Sequence, residues 1–407
     1  MNPRLSRRAL LGVAGAGAAT VVGAGAVAWS RSDSSDPGPR YDFYGDHQSG
    51  IVTPMQDYLH FAALDMTTRD PEALRSLLQE WTEAAAAMMA GREIGEYGAL
   101  AGPYEAPPQD TGEAIGLPAA GLTLTVGFGP TLFKRFSLSR PSTLRELPHF
   151  PGDTIDPAIS GGDLCIQACA NDAQVAVHAV RNLVRIAFGK AAVKWSQMGF
   201  GKSSRTASDQ ATPRNLFGFK DGTANITADD TDALDQFVWA GRGDQPAWMH
   251  GGSYLAVRKI RMTIETWDRT SLREQEAVFG RTKREGAPLS GGGEFDAPAF
   301  GMAGATGPLI PTESHMALAH PSANDGQRIL RRAYNYTDGS DHLGRLDAGL
   351  FFLAYNRDLE RQFIPIQARL SGSDLMNEYV RYIGNATFAI PPGVQPGGYL
   401  GQGLFEG

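Results

Sequence analysis

The chain has 407 residues, of which 42% are hydrophobic and 20% are charged, which is an ordinary globular composition. Its length favours two domains of moderate size, because single cores stop growing near about 250–300 residues. The net charge of -7 argues against a nucleic-acid partner. The two cysteines, Cys165 and Cys169, lie in a predicted strand, which places them roughly 13 Å apart. A disulfide needs Cα atoms within about 7 Å, so we expect two free, buried thiols.

Residues 1–28 have the pattern of an export signal. The paired arginines Arg7 and Arg8 precede a stretch of small and apolar residues that ends at a small-x-small site at Ala28. A retained membrane anchor is the alternative, but a stretch so rich in Gly and Ala is a poor permanent span. We therefore expect recognition by the twin-arginine translocation machinery, cleavage, no stable membrane span afterwards, and a polar linker over residues 29–40. The mature protein would be periplasmic, bound to the cell envelope or extracellular.

The first half of the remaining chain, residues 41–213, alternates strand and helix signals. Asp70 and Pro71 form a helix start, with Asp as the N-cap and Pro at the first helical position. The predicted elements are a strand from Tyr58 to Met66, a helix from Pro71 to Ala90, strands from Leu122 to Phe128 and from Asp163 to Ala170, a helix from Asp172 to Phe188, and a strand from Val193 to Met198. This order is the split βαβ pattern of a ferredoxin-like domain.

The second half, residues 214–407, repeats the order less cleanly, so the sequence predicts an α+β protein of two ferredoxin-like domains with antiparallel sheets. The predicted elements are a strand from Tyr254 to Thr266, a helix from Ser271 to Arg281, strands from Leu330 to Tyr336 and from Leu350 to Tyr355, a helix from Asp374 to Ile383, and a strand from Ala386 to Ile390. Residues 284–311 are rich in Gly and Pro and predict a long loop. Loops of that length in compact domains are usually functional or disordered, and this one leads into His315, so we expect it to form a pocket wall.

Three short stretches contain residues suited to chemistry. Asp221 lies between Gly218 and Gly222, although an Asp in that setting more commonly just forms a turn. His315 follows a loop, where a structural histidine is the common alternative. Arg331 and its neighbour Arg332 lie in an apolar strand, where an arginine must reach solvent or meet a buried anion. Strand alternation puts the two arginines on opposite faces.

Taken together and in order, these stretches resemble the dye-decolourising peroxidase family, in particular its twin-arginine-exported group, which includes deferrochelatases. The resemblance runs nearly from end to end. The matching segments are Phe43 to Ile51, Gly218 to Gly222, Trp267 to Arg269, Gln275-Glu276, Gly280 to Lys283, His315, Leu330 to Arg332 and Leu346 to Phe352.

The resemblance implies that one haem b is held in a pocket of the C-terminal domain. It implies that His315 is the axial ligand of the haem iron, and that Asp221 and Arg331 lie on the opposite, peroxide-binding face, with Arg331 also in contact with the haem. Further implied haem contacts are Gly222, Thr223, Ala224, His320, Pro321 and Ser322. Some relatives carry Asn two residues after the distal arginine, where this chain has Ala333, so a mechanism that depends on that amide is not available.

The residue types suit these roles. A peroxidase needs a proton acceptor and donor above the iron, which Asp221 can provide, and a fixed positive charge, which Arg331 keeps at any working pH. An iron-binding histidine becomes more basic when its second nitrogen donates to a carboxylate. We predict Asp347 as that carboxylate, although it equally suits a turn.

Three functions fit these features. The first is an exported peroxidase that uses hydrogen peroxide to oxidise small aromatic, phenolic or dye-like reductants. The second is a deferrochelatase that takes iron from haem for iron supply and leaves the porphyrin intact. The third is a haem carrier without peroxide turnover, which the presence of both Asp221 and Arg331 argues against.

Overall fold

A computed structural model describes residues 38–244, 246–305 and 307–406. The predicted export signal and most of the linker lie outside these residues. The strands are β1 (Tyr58–Met66), β2 (Thr123–Phe128), β3 (Leu164–Ala170), β4 (Ala191–Lys202), β5 (Ser253–Met262), β6 (Leu330–Arg331), β7 (Tyr334–Ser340), β8 (Leu346–Asn356) and β9 (Val380–Ile390). The helices are α1 (Pro71–Met89), α2 (Pro130–Phe136), α3 (Ala173–Ile186), α4 (Thr231–Phe237), α5 (Ile264–Trp267), α6 (Leu272–Phe279), α7 (His315–Ala319) and α8 (Phe363–Ser373).

Both halves have the same antiparallel strand order. The first half is ordered β2-β3-β1-β4, and the second half is ordered β9-β5-β8 followed by β6 and β7, which pair with the same strand, β8. With strands counted within each half, both orders are that of the ferredoxin-like pattern. The fold class predicted from the sequence is therefore confirmed.

The two halves share one closed sheet, which the sequence did not predict. Strand β2 pairs with β9 through Phe128 and Ala389, and β4 pairs with β7 through Phe200 and Asn335. The pairing of β5 with β8 completes the ring. Inside it, the rings of Phe61 and Phe351, one from each half, lie 5.3 Å apart between centroids. A single interior core therefore belongs to both halves.

Outside the ring, α1 and α3 pack against each other and cover the first half of the sheet. The indole Nε1 of Trp81 in α1 donates to the carbonyl oxygen of Leu183 in α3 at 2.8 Å. Asp172 caps α3 by accepting from two backbone amides of its first turn. Cys165 and Cys169 are free and buried in β3, as predicted. In the part of the chain that the structure describes, no helix has the length and apolarity needed to cross a membrane.

The predicted helix from Asp374 to Ile383 is wrong. Residues Leu375–Glu378 form one 3-10 turn, and the long strand β9 begins at Val380. Alternate side chains of its first half are buried, which fits a strand and not a helix. The helix lies earlier, at α8, where Pro365 and Gly372 weaken the helical signal. Pro365 is tolerated because it falls in the first turn, whose amides need no partner within the helix.

Candidate active site

His315 begins the short helix α7, directly after its N-cap. Ser314 is buried, and its side chain accepts a hydrogen bond from the backbone amide of Ala317. This cap fixes where the helix starts and therefore where His315 projects. The side chain of His315 is 35% exposed, so it is partly buried and partly accessible.

The partner of His315 is Asp374, at the end of α8. The His315 Nδ1 atom lies 2.6 Å from Asp374 Oδ2. A carboxylate can only accept, so Nδ1 is the protonated nitrogen and Nε2 keeps its lone pair free. The Asp374 side chain is 2% exposed, and its other oxygen accepts from the amide of Met376 at 2.9 Å.

The prediction that Asp347 fills this role is wrong. Asp347 lies in β8, and its carboxylate is 3.4 Å from the guanidinium of Arg261 in β5. It therefore belongs to an ion pair between neighbouring strands. Asp374 lies 59 residues beyond His315 in the chain, and no spacing or motif around it marks it as the partner.

The structure brings Asp221 and Arg331 together from positions 110 residues apart. Arg331 Nη1 donates to Asp221 Oδ1 at 2.6 Å, and the two side chains are 23% and 15% exposed. Asn215 Nδ2 lies 3.4 Å from the second carboxylate oxygen. Partial exposure leaves both groups accessible to a small molecule.

Arg332 points the other way, as strand alternation predicts. It is completely buried, and its guanidinium donates to the carbonyl oxygen of Thr53 at 2.6 Å and to the side chain of Gln56. Arg331, not Arg332, therefore accompanies Asp221, and Arg332 ties the chain before β1 to the interior core.

The pKa of His315 shows that these groups are electrostatic neighbours. Burial lowers this pKa, but the adjacent Asp374 carboxylate raises it by more, so the net shift is upward. Asp221 raises it further and Arg331 opposes that effect. Asp221 and Arg331 are therefore close enough to His315 for their charges to affect it.

The residues after Asp221 form a tight turn held by the long loop 284–311. Gly222 has φ +106°, and a Cβ there would lie 2.9 Å from the amide of Arg205, so only glycine fits. Thr223 Oγ1 donates to Glu294 Oε1 at 3.1 Å, and Lys220 forms an ion pair with the same carboxylate. The loop therefore lies against the Asp221 segment, as expected for a pocket wall, and Ala224 is exposed.

The other predicted haem contacts follow α7. His320 Nδ1 lies 2.8 Å from Ser322 Oγ, and Pro321 starts a 3-10 turn between them. Burial and the positive charge of Arg281 both lower the pKa of His320. Burial lowers the pKa of Arg281, and the nearby positive charge of Arg331 lowers it further. Sequence reasoning did not assign Arg281, although it lies in the Gly280 to Lys283 segment that carries the resemblance.

These residues fit a haem group. Four of the five residues of α7 are apolar, yet none is buried. An apolar helix left uncovered beside a histidine with a free Nε2 suits a flat, largely apolar ligand that carries iron. The described residues contain no cluster of three or more His, Cys, Asp or Glu that could hold a bare metal ion, and a single histidine suits haem iron better.

Comparison with known proteins shows the family of this chain. Residues 48–201 match the model for the N-terminal part of the Dyp-type peroxidases, and residues 212–395 match the model for the C-terminal part. The chain is 37% identical to a protein named deferrochelatase from Escherichia coli O6:K15:H31 (strain 536 / UPEC), over 98% of this chain and 97% of that one. The chain belongs to the Dyp-type peroxidase family.

Two solved structures show the same fold. A DyP-type peroxidase from Streptomyces coelicolor has a TM-score of 0.83 at 37% identity, covering 91% of this chain and 98% of its own. The ferric form of DtpA from Streptomyces lividans has a TM-score of 0.83 at 37% identity, with coverage of 91% and 98%.

Proposed function

We propose that this protein is a haem b peroxidase that reduces hydrogen peroxide and oxidises small aromatic, phenolic or dye-like molecules. The observation that carries the proposal is the juxtaposition of two pairs, His315 with Asp374 and Arg331 with Asp221. One pair suits an iron ligand and the other suits proton transfer beside a fixed positive charge. Membership of the Dyp-type family and the ferric solved relative support the same function.

His315 would hold the haem iron through Nε2, because Asp374 engages Nδ1. When bound, haem would supply the redox-active iron and the electrons that reduce peroxide. Donation from Nδ1 to Asp374 fixes the ring and makes the imidazole a stronger electron donor. The resemblance implies that Thr223, His320 and Ser322 would make further contacts with the haem.

Asp221 and Arg331 carry out the remaining steps. Asp221 accepts the proton from one peroxide oxygen and returns it to the other, so that the second oxygen departs as water. Arg331 keeps its charge throughout and stabilises the negative charge that develops as the O–O bond breaks. The ion pair between them holds both side chains in position before peroxide arrives.

Reconstitution tests this proposal. Haem-loaded protein should turn over peroxide with a phenolic reductant, whereas a haem carrier would bind haem and leave peroxide unchanged. His315→Ala should lose haem or bind it weakly with an altered absorption spectrum. His320→Ala should retain the wild-type haem absorption spectrum, because His320 is not the proposed iron ligand. Full haem occupancy with an unchanged spectrum in His315→Ala would place the iron ligand elsewhere.

A second activity, removal of iron from haem, is favoured by the relative named deferrochelatase at 37% identity. Incubation of the protein with haem and separation of the products would detect it. Release of iron together with intact protoporphyrin supports this activity, and a degraded porphyrin ring contradicts it.

We also propose export by the twin-arginine route to the periplasm, cell envelope or extracellular space. Arg7 and Arg8, followed by a small and apolar stretch, support this proposal. Replacing both with Lys should leave the protein in the cytoplasm. Normal export of that double variant would indicate the general secretory route instead.

A further inference from the structure

The backbone of Arg331 pairs with a neighbouring strand on one side only. Strand β6 is two residues long, and Arg331 lies opposite Ala354 of β8. The next amide, that of Arg332, donates to the carbonyl oxygen of Leu353 in β8 at 2.9 Å. Because successive residues of a strand point their amides in opposite directions, the amide and carbonyl of Arg331 face away from β8. On that side β4 has already ended at Lys202.

The side chain of Asn225 takes the place of the missing strand. Asn225 Oδ1 accepts from the amide of Arg331 at 2.8 Å, and Asn225 Nδ2 donates to the carbonyl oxygen of Arg331 at 2.8 Å. The same Nδ2 donates to the carbonyl oxygen of Arg205 at 2.7 Å. Asn225 is 6% exposed, so water does not substitute easily for these bonds.

Asn225 also belongs to the segment that carries Asp221. Its amide donates to the carbonyl oxygen of Gly222 at 3.0 Å, which closes the turn directly after Asp221. One side chain therefore joins the backbone of Arg331 to the turn that holds Asp221. We infer that Asn225 is a positioning residue that fixes the Arg331 guanidinium relative to Asp221 for its action on peroxide. The inference rests on the proposed function of Arg331.

The chemistry of the contact selects asparagine. An amide offers one acceptor and one donor group, which match the amide and the carbonyl of Arg331. Aspartate has the same shape but offers only acceptors, so an oxygen would face the carbonyl oxygens of Arg331 and Arg205. Alanine would leave all three main-chain groups without this partner.

A double-mutant cycle on the haem-loaded protein tests the inference, with fluoride as the probe. Fluoride affinity, measured from the haem absorbance, reports whether a charged donor is in place beside a small anion, independently of turnover. We expect Asn225→Ala to weaken fluoride binding about tenfold, which is the effect of displacing one charge-assisted hydrogen bond. In the Arg331→Leu background, the same change should have less than about a twofold effect, because the group it positions is gone. The value of kcat/KM for peroxide should follow the same pattern.

Asn335→Ala is the matched control for Asn225→Ala, and Asn335→Asp is the matched control for Asn225→Asp. Asn335 is also buried and donates to a main-chain carbonyl, that of Gly201 at 2.8 Å, and among the described residues its side-chain hydrogen bonds reach neither Arg331 nor Asp221. Its replacement should leave fluoride affinity unchanged. If Asn225→Ala does not load haem, Asn225→Asp gives the same cycle with a nearly isosteric side chain.

The outcomes separate the inference from the proposed function. An equal loss of fluoride affinity in both backgrounds would show that Asn225 acts independently of Arg331 and would overturn the inference. If Arg331→Leu weakens fluoride binding and Asn225→Ala does not, the inference alone fails. If Arg331→Leu itself changes nothing, the proposed role of Arg331 fails and the inference fails with it.

Discussion

At the scale of single residues, the carboxylate behind His315 is the clearest point to test. Asp374→Asn replaces an acceptor-only carboxylate with an amide, so the imidazole loses basicity and orientation. We expect haem affinity to fall about 10–100-fold, the usual range for loss of such a partner. Titration of the variant with haem measures this. Asp347→Asn serves as the control, and a loss of haem affinity in that variant instead would restore the partner that the sequence predicted.

Arg331 should matter for the reaction and not for haem loading. Removal of one well-placed charged donor typically costs about 10²–10³ in rate, so Arg331→Leu should lower peroxide turnover by that factor at unchanged haem content. Because guanidinium keeps its charge at any working pH, the loss should be similar across the pH range. Arg328→Leu removes an arginine from the same region whose partner is Asp230, at 3.1 Å, and should be nearly neutral. A wild-type rate in Arg331→Leu would contradict its role.

The sequence predicted Asp221, Arg331 and His315 because each stands in a short segment that resembles the family. The structure brings the first two within hydrogen-bonding distance. The sequence did not predict Asp374 or Asn225, because the role of each depends on contacts between segments that are distant in the chain. Asp374 follows α8, a helix that the sequence did not predict. Asn225 bonds to main-chain atoms, and every residue type has these, so the sequence around its partners does not indicate the contact.

At the scale of elements, most strands and helices follow from periodicity and caps. The strand β1 matches its prediction at both ends, and α1 begins at Pro71 after the Asp70 cap as predicted. The errors fall where tertiary contacts override local preference. Residues 380–383 form a strand and not a helix because β9 pairs with β5. The predicted strand from Leu330 to Tyr336 is divided into β6 and β7, because Ala333 forms hydrogen bonds with Ser203 and Ser204 instead of β8.

The contact between the loop 284–311 and the Asp221 segment should depend on pH. Burial raises the pKa of Glu294, but hydrogen bonds from Lys220 and Thr223 and the charge of Lys220 lower it by more, so it lies below the ordinary value of 4.5. A carboxyl whose pKa is depressed by folding stabilises the folded form above its unfolded pKa, and this contribution is lost as the pH falls through the folded pKa. The contact should therefore persist at neutral pH and weaken below about pH 4.5.

Amide hydrogen exchange of residues 218–223 measures this contact. After correction for the intrinsic pH dependence of exchange, protection should fall on acidification in the wild type. In Glu294→Gln it should be lower at neutral pH and change little with acid. Equal protection of both proteins at neutral pH would show that Glu294 does not hold the segment.

At the scale of the whole molecule, the sequence predicted two ferredoxin-like domains but not their union in one closed sheet. Hydrophobic alternation shows which residues of a strand are buried, but it does not show which strand lies beside which. The pairings of β2 with β9 and of β4 with β7 join edges that would otherwise be exposed. The boundary predicted at residue 213 therefore falls between two repeats of a strand pattern that share one closed sheet.

This shared core predicts that the halves unfold together. The Phe61 to Phe351 contact and the closed ring join the two halves through a core inside the sheet. If haem binds the second half as proposed, it stabilises the folded state by mass action. If the halves are coupled, haem loading should raise the urea midpoint of both by the same amount. Hydrogen exchange of β3 and β5, measured across urea concentrations with and without haem, tests this. A midpoint that rises for β5 and stays fixed for β3 would show that the halves unfold independently.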